Sequence, residues 1–147
     1  RERTGALTVI TDNADATRAA ASQIAATARG IYSMPPDHGA AVVTTILQDP
    51  ALKQDWDLEL KEVRERINAL RSELVNALTA QGVDRDFSFI EREKGMFSFL
   101  GLSVEQVRNL IDDYSIYLVD SSRINIAGIN HSNLAYLTRG IAEVLTR

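Results

Sequence analysis

Apolar residues recur every three or four positions from Leu52 to Leu78, through Trp56, Leu60, Val63, Ile67, Leu70 and Leu74. That spacing is the stripe of one long helix. Asp49 suits its N-cap, Pro50 its first position and Gly82 the residue just past its end. Lys61 with Glu65 and Glu62 with Arg66 set opposite charges at helical spacing on the polar face. At about 1.5 Å per residue the rod spans roughly 45–50 Å, more than one small domain needs. A coiled-coil arm is one reading, and a beam joining two packed layers is the other. The mixed elements on both sides favour the beam.

Before the beam, Gly5–Thr11 is apolar, β-branched and without polar alternation, which predicts a strand buried on both faces. Asp12 and Asn13 supply a turn and a cap. Ala14–Ala28 is an alanine-rich helix that ends near Arg29 and Gly30. Ser33–Gly39, with two prolines, is an irregular connector. Ala40–Leu47 reads as a short helix, apolar nearly all round and so buried. After the beam, Phe87–Ile90 and Met96–Phe99 read as two strands around a turn at Lys94-Gly95. Ser103–Tyr114 opens on Ser-x-x-Gln, a capping box, and continues as an amphipathic helix. Ile116–Val119 and Arg123–Ile126 read as strands, and Asn130–Leu145 as a closing helix. The organisation is therefore residues 1–49 before the long helix, 50–82 for the helix itself, and 83–147 for a small α+β domain.

Composition narrows the function classes. Apolar residues are 45% of the 147 and charged residues 24%, ordinary values for a globular protein. A net charge of −4 without a basic cluster argues against a nucleic-acid surface. No apolar run reaches membrane-spanning length. The absence of cysteine removes disulfides, thiolate nucleophiles and cysteine metal sites, and fits a cytoplasmic setting. His38 and His131 stand far apart with no metal-ligand spacing, and no P-loop or nucleophile-elbow motif occurs.

Three arginines are better placed for chemistry. Arg123 heads an apolar strand, where its planar fork can meet a carboxylate in two parallel hydrogen bonds, or it is a rim arginine beside a turn. Arg29 ends a helix, where a cation also answers the helix dipole. Arg3 precedes the first strand, and it either clamps a phosphate or belongs to a frayed end.

Four segments in order carry a resemblance: Arg1-Glu2-Arg3-Thr4-Gly5-Ala6-Leu7, Arg29-Gly30-Ile31-Tyr32-Ser33-Met34-Pro35-Pro36, Lys94-Gly95-Met96-Phe97-Ser98-Phe99 and Ser122-Arg123-Ile124-Asn125-Ile126-Ala127-Gly128. With these segments in register, the chain resembles the C-terminal part of the aspartate and aromatic-amino-acid aminotransferases over essentially its whole length. The resemblance implies an α/β fold: the end of a large cofactor-binding domain, a long interdomain helix, and a small α+β domain. It implies pyridoxal 5'-phosphate as cofactor, amino-acid and 2-oxo-acid substrates, and a cytoplasmic homodimer. By the same resemblance Arg3 holds the cofactor phosphate and Arg123 binds the substrate α-carboxylate. Arg29 reaches across the dimer interface to the distal carboxylate of aspartate, glutamate or 2-oxoglutarate. Phe97 lines the substrate pocket, and Ser33 lies in the neighbouring interface loop, where this chain carries Met34 in place of the family's Asn or Ser. The Ser-x-Ser-Lys segment with the cofactor-bearing lysine is expected just before Arg1, so the 147 residues alone are expected to be an inactive fragment of the enzyme. A different class of function, a small non-catalytic domain that acts by binding a partner, remains the alternative.

Overall fold

The computed structural model describes residues 3–147. Arg1 and Glu2, which open the first of the four segments, lie outside the described residues. The chain divides into two compact units, one ending at Leu58 and the other running from Glu59 to Arg147.

In the first unit residues 5–11 form neither helix nor strand, with residues 5–10 exposed and Thr11 half-buried, so the expected buried strand is not formed. A strand needs a neighbour to take its N–H and C=O groups, and among the described residues the only sheet is formed elsewhere. Helix α1 (Ala14–Tyr32) starts where expected, with Asn13 Oδ1 accepting from Ala16 N at 2.9 Å. It continues beyond Ala28 and through Gly30. A helical glycine costs only about 1 kcal/mol relative to alanine, and the stop comes at Ser33, whose φ of 61° turns the backbone left-handed. Met34, Pro35 and Pro36 then keep the chain irregular as far as α2 (His38–Gln48). The expectation that this second helix is buried is overturned. No residue of α1 or α2 is fully buried, and Val42, Val43 and Leu47 are exposed. An all-round apolar helix needs cover on several faces, and this unit has too few elements to supply it.

Helix α3 (Pro50–Ala80) passes through the boundary between the units. Asp49 caps it, with Oδ1 accepting from Ala51 N at 2.8 Å and Leu52 N at 3.1 Å. Gly82 beyond its end has a φ of 71°. Of the predicted stripe, Leu70, Leu74 and Leu78 are buried, whereas Leu52, Trp56, Leu60 and Val63 are exposed. Lys61 and Glu65 approach to 3.9 Å. Arg66 turns elsewhere and donates to the carbonyls of Ala127 and Ile129 at 3.1 and 3.2 Å.

The second unit packs around the latter half of α3. It comprises α4 (Phe89–Arg92), β1 (Phe97–Phe99), α5 (Val104–Tyr114), β2 (Arg123–Asn125), a single 3-10 turn (Ile126–Gly128) and α6 (Leu134–Leu145). Its core joins Leu74 and Leu78 of α3 to Ile90, Leu100, Val107, Leu110, Ile126 and Ile141. Two predicted strands are corrected. Phe87–Ile90 is not a strand, because Asp86 Oδ1 accepts from Ser88 N at 2.7 Å and bends the chain into the short helix. That hydrogen bond and a second from the Ser88 hydroxyl hold the Asp86 carboxyl below its ordinary pKa. Phe87 and Ile90, three apart, then both reach the core. Ile116–Val119 is irregular and unpaired, since among the described residues the sheet holds only β1 and β2. The Ser103 capping box is present in both directions. Helix α6 begins four residues later than Asn130, whose Oδ1 accepts from Ser132 N and Asn133 N and folds that stretch into a turn. Gly140 permits α6 to lie close to the end of α5: a Cβ there would sit 2.9 Å from Ile116 Cδ1.

Candidate functional site

The antiparallel pairing of β1 and β2 sets Phe97 opposite Asn125, Ser98 opposite Ile124, and Phe99 opposite Arg123. The two-residue period sends Ser98 and Ile124 inward, where both are buried, and leaves Phe97, Phe99 and Arg123 on the outer face. Arg123 is therefore the diagonal cross-strand neighbour of Phe97, within reach for long side chains. Its guanidinium lies over the Phe97 ring, 4.7 Å from the centroid. An arginine so placed is steadied by the ring's negative face. Among the described residues its side chain has no hydrogen bond or ion pair, so its planar donor fork is unoccupied.

Phe97 and Arg123 stand at a cleft of about 650 Å³ that Ile116, Leu118 and Tyr136 also line. The unpaired Ile116–Val119 segment is thus a wall of the cleft and not a sheet strand. Tyr136 is tied in place by donating from its hydroxyl to the Tyr114 carbonyl at 2.8 Å. The Tyr114 hydroxyl itself donates to Glu143, which pushes its pKa up. Asn133, also at the cleft, is occupied at both ends, accepting from Asn130 N and donating to the Gly128 carbonyl. A mostly apolar cleft with one unoccupied guanidinium suits a small molecule carrying a carboxylate on an apolar or aromatic body.

Two residues that support this arrangement are missed by reading the sequence. Arg71 is buried and donates to four acceptors between Ile90 and Ser98. The signal was its phase: it stands four residues after Ile67 and three before Leu74, on the apolar stripe. Ser122, directly before Arg123, is buried with a φ of 59°. Its carbonyl accepts from Leu100 N at 3.0 Å and its hydroxyl from Leu102 N at 3.2 Å, which fixes the start of β2.

The other candidate residues lie in the first unit. Arg3 is exposed in the irregular stretch before α1. Arg29 is exposed in the last turn of α1, and its carbonyl accepts from Ser33 N at 3.0 Å. The structure thus brings Phe97 and Arg123 into contact and joins Arg29 to Ser33 through the helix end. His131 Nδ1 lies 3.4 Å from Glu73 Oε2 at the surface. Among the described residues no cluster of three or more His, Cys, Asp or Glu forms a metal site.

The class to which this fold and site belong follows from comparison with known proteins. The family profile described as aminotransferase class I and II matches residues 1–141, and the chain belongs to that family. It is 45% identical over 144 residues to an aspartate aminotransferase of Haemophilus influenzae, covering 98% of this chain and 36% of that protein. It is 40% identical over 144 residues to the aromatic-amino-acid aminotransferase of Escherichia coli, with the same coverage. The structure of an aromatic-amino-acid aminotransferase from Burkholderia pseudomallei, covalently bound to pyridoxal phosphate, superimposes with a TM-score of 0.79 at 44% identity. That match covers 92% of this chain and 34% of the other. A mitochondrial aspartate aminotransferase from Trypanosoma brucei gives a TM-score of 0.78 at 40% identity. The chain spans about a third of the length of these relatives. Its fold is accordingly a portion of the aspartate-aminotransferase fold.

Proposed function

We propose that this chain works within a full-length pyridoxal-phosphate aminotransferase that exchanges an amino group between aspartate or an aromatic amino acid and 2-oxoglutarate. The observation that carries this reading is the unoccupied Arg123 guanidinium held 4.7 Å over the Phe97 ring in an apolar cleft. Arg123 binds the α-carboxylate common to all these substrates, and Phe97 both steadies it and lines the substrate side. Arg29 receives the distal carboxylate of dicarboxylic substrates in the site of the second subunit of a homodimer, with Ser33 in the adjoining loop. The chemistry of the donors present fits the cofactor at its phosphate end: Arg3 offers an exposed guanidinium to a phosphate dianion. When bound, pyridoxal phosphate draws electron density from the substrate α-carbon, and the protein orients it. In the same reading residues 1–49 belong to the large cofactor-binding domain, 50–82 to the interdomain helix and 83–147 to the small domain. One relative, from Dictyostelium discoideum, is named as a cytoplasmic aspartate aminotransferase, which supports a cytoplasmic setting; the homodimer belongs to the same reading through the family resemblance.

Replacing Arg123 tests the reading. A carboxylate left unpaired in a closed site costs on the order of 3–5 kcal/mol. In the full-length enzyme Arg123→Leu should therefore lower kcat/KM by roughly 10²–10³-fold or more for aspartate and phenylalanine alike. Unchanged efficiencies would return Arg123 to the status of a surface arginine beside a turn.

A further inference from the structure

We propose that Arg71 is a positioning residue for the carboxylate site, fixing β1 from behind so that the Phe97 ring holds the Arg123 guanidinium in its binding pose. This rests on the reading of Arg123 given above. Arg71 is 1% exposed, and its two terminal nitrogens divide four acceptors between them. Nη1 donates to the Ile90 carbonyl at 2.9 Å and to Ser98 Oγ at 2.6 Å. Nη2 donates to the carbonyls of Gly95 and Phe97 at 2.8 and 3.1 Å. The Glu93 carboxylate, 3.5 Å from Nη1, supplies the counter-charge.

Every one of these groups lies on the stretch that turns into β1. That stretch has little else to fix it, because β1 and β2 are three residues each and form a two-stranded sheet. A pair of that size is at best marginally stable by itself. Arg71 restrains the side of β1 that faces α3, while Ile126 N restrains the other by donating to the Met96 carbonyl at 2.8 Å. Phe97 is consequently held through its carbonyl by Arg71 and through its ring by Arg123. A lysine cannot reproduce this, since one ammonium point cannot span four acceptors that a planar fork reaches together.

A double-mutant cycle in the full-length enzyme tests the inference, using Arg71→Lys, Arg123→Leu and the combination. It is read as kcat/KM for aspartate and phenylalanine, and as the calorimetric Kd for succinate, an unreactive dicarboxylate. Arg71→Lys alone should weaken succinate about tenfold and lower kcat/KM by a similar factor, mainly through KM and equally for both amino acids. In the Arg123→Leu background the same change should have less than about a twofold effect, because the group that Arg71 positions is gone. Equal losses in both backgrounds, or no loss from Arg71→Lys alone, would overturn the proposal. If Arg123→Leu itself costs nothing, the carboxylate reading falls and the proposal with it, an outcome distinct from additivity. Should Arg71→Lys fail to fold, Ser98→Ala removes the acceptor at 2.6 Å and leaves the guanidinium in place. The same cycle then applies, with an expected loss of about threefold that disappears in the Arg123→Leu background, and additive losses would overturn the proposal.

Discussion

Arg123 and Arg29 are both exposed, but different things surround them. Arg123 is braced by an aromatic ring, whereas Arg29 stands at the C-terminal end of α1, where a cation also answers the helix dipole. The two explanations for Arg29 diverge on substrate dependence. If it pairs a distal carboxylate, Arg29→Leu should lower kcat/KM for aspartate by on the order of 10²–10⁴-fold. Phenylalanine has no such carboxylate, so its loss should be small, or a gain. If Arg29 only answers the dipole, the change alters stability by at most about 1 kcal/mol and treats both substrates alike. Parallel assays in the full-length enzyme separate the two, and equal losses exclude Arg29 as the side-chain selector. At this scale Arg123 and Phe97 were legible as candidates because of their motifs. Their contact was not, because it depends on strand register, which two three-residue strands specify only after folding. Arg71 was hidden because an arginine on a helix ordinarily reads as solvated. Only its position on the apolar stripe marked it as buried.

Helices were the legible elements. The Asp49 and Asn13 caps, the Ser103 capping box and the Gly82 stop all act within a few residues and stand where their local chemistry put them. Strands were not, since Gly5–Thr11 and Ile116–Val119 need partners that local pattern cannot guarantee. Phe87–Ile90 shows a further failure: its alternating pattern was overridden by one Asp86 side-chain hydrogen bond. Within α3 the periodic stripe was correct but its burial was uneven, because periodicity gives a face and not the neighbour that covers it. That unevenness has a measurable consequence in the 147-residue chain. Leu74, fully buried, should cost about 2–5 kcal/mol on Leu74→Ala. Leu52, 44% exposed, should cost within about 0.5 kcal/mol on the same change. Denaturant titration followed by circular dichroism checks both, and equal costs would contradict the division of α3 into buried and open halves.

For the whole molecule, the proposed function makes substrate binding a composite property. Under that proposal Arg123 would supply the common clamp from its own subunit, and Arg29 the dicarboxylate clamp to the neighbouring one. Each single variant, Arg29→Leu or Arg123→Leu, then damages both sites of a homodimer. The most direct measurement is aspartate turnover by hybrid dimers, purified with one subunit carrying Arg29→Leu and the other Arg123→Leu. If the arginines serve opposite subunits, one site of the hybrid receives both substitutions and the other receives neither. The hybrid should therefore recover about half of the wild-type activity per dimer, far above either parent homodimer. A hybrid no more active than its parents would contradict the account, because each site would then draw both arginines from a single subunit.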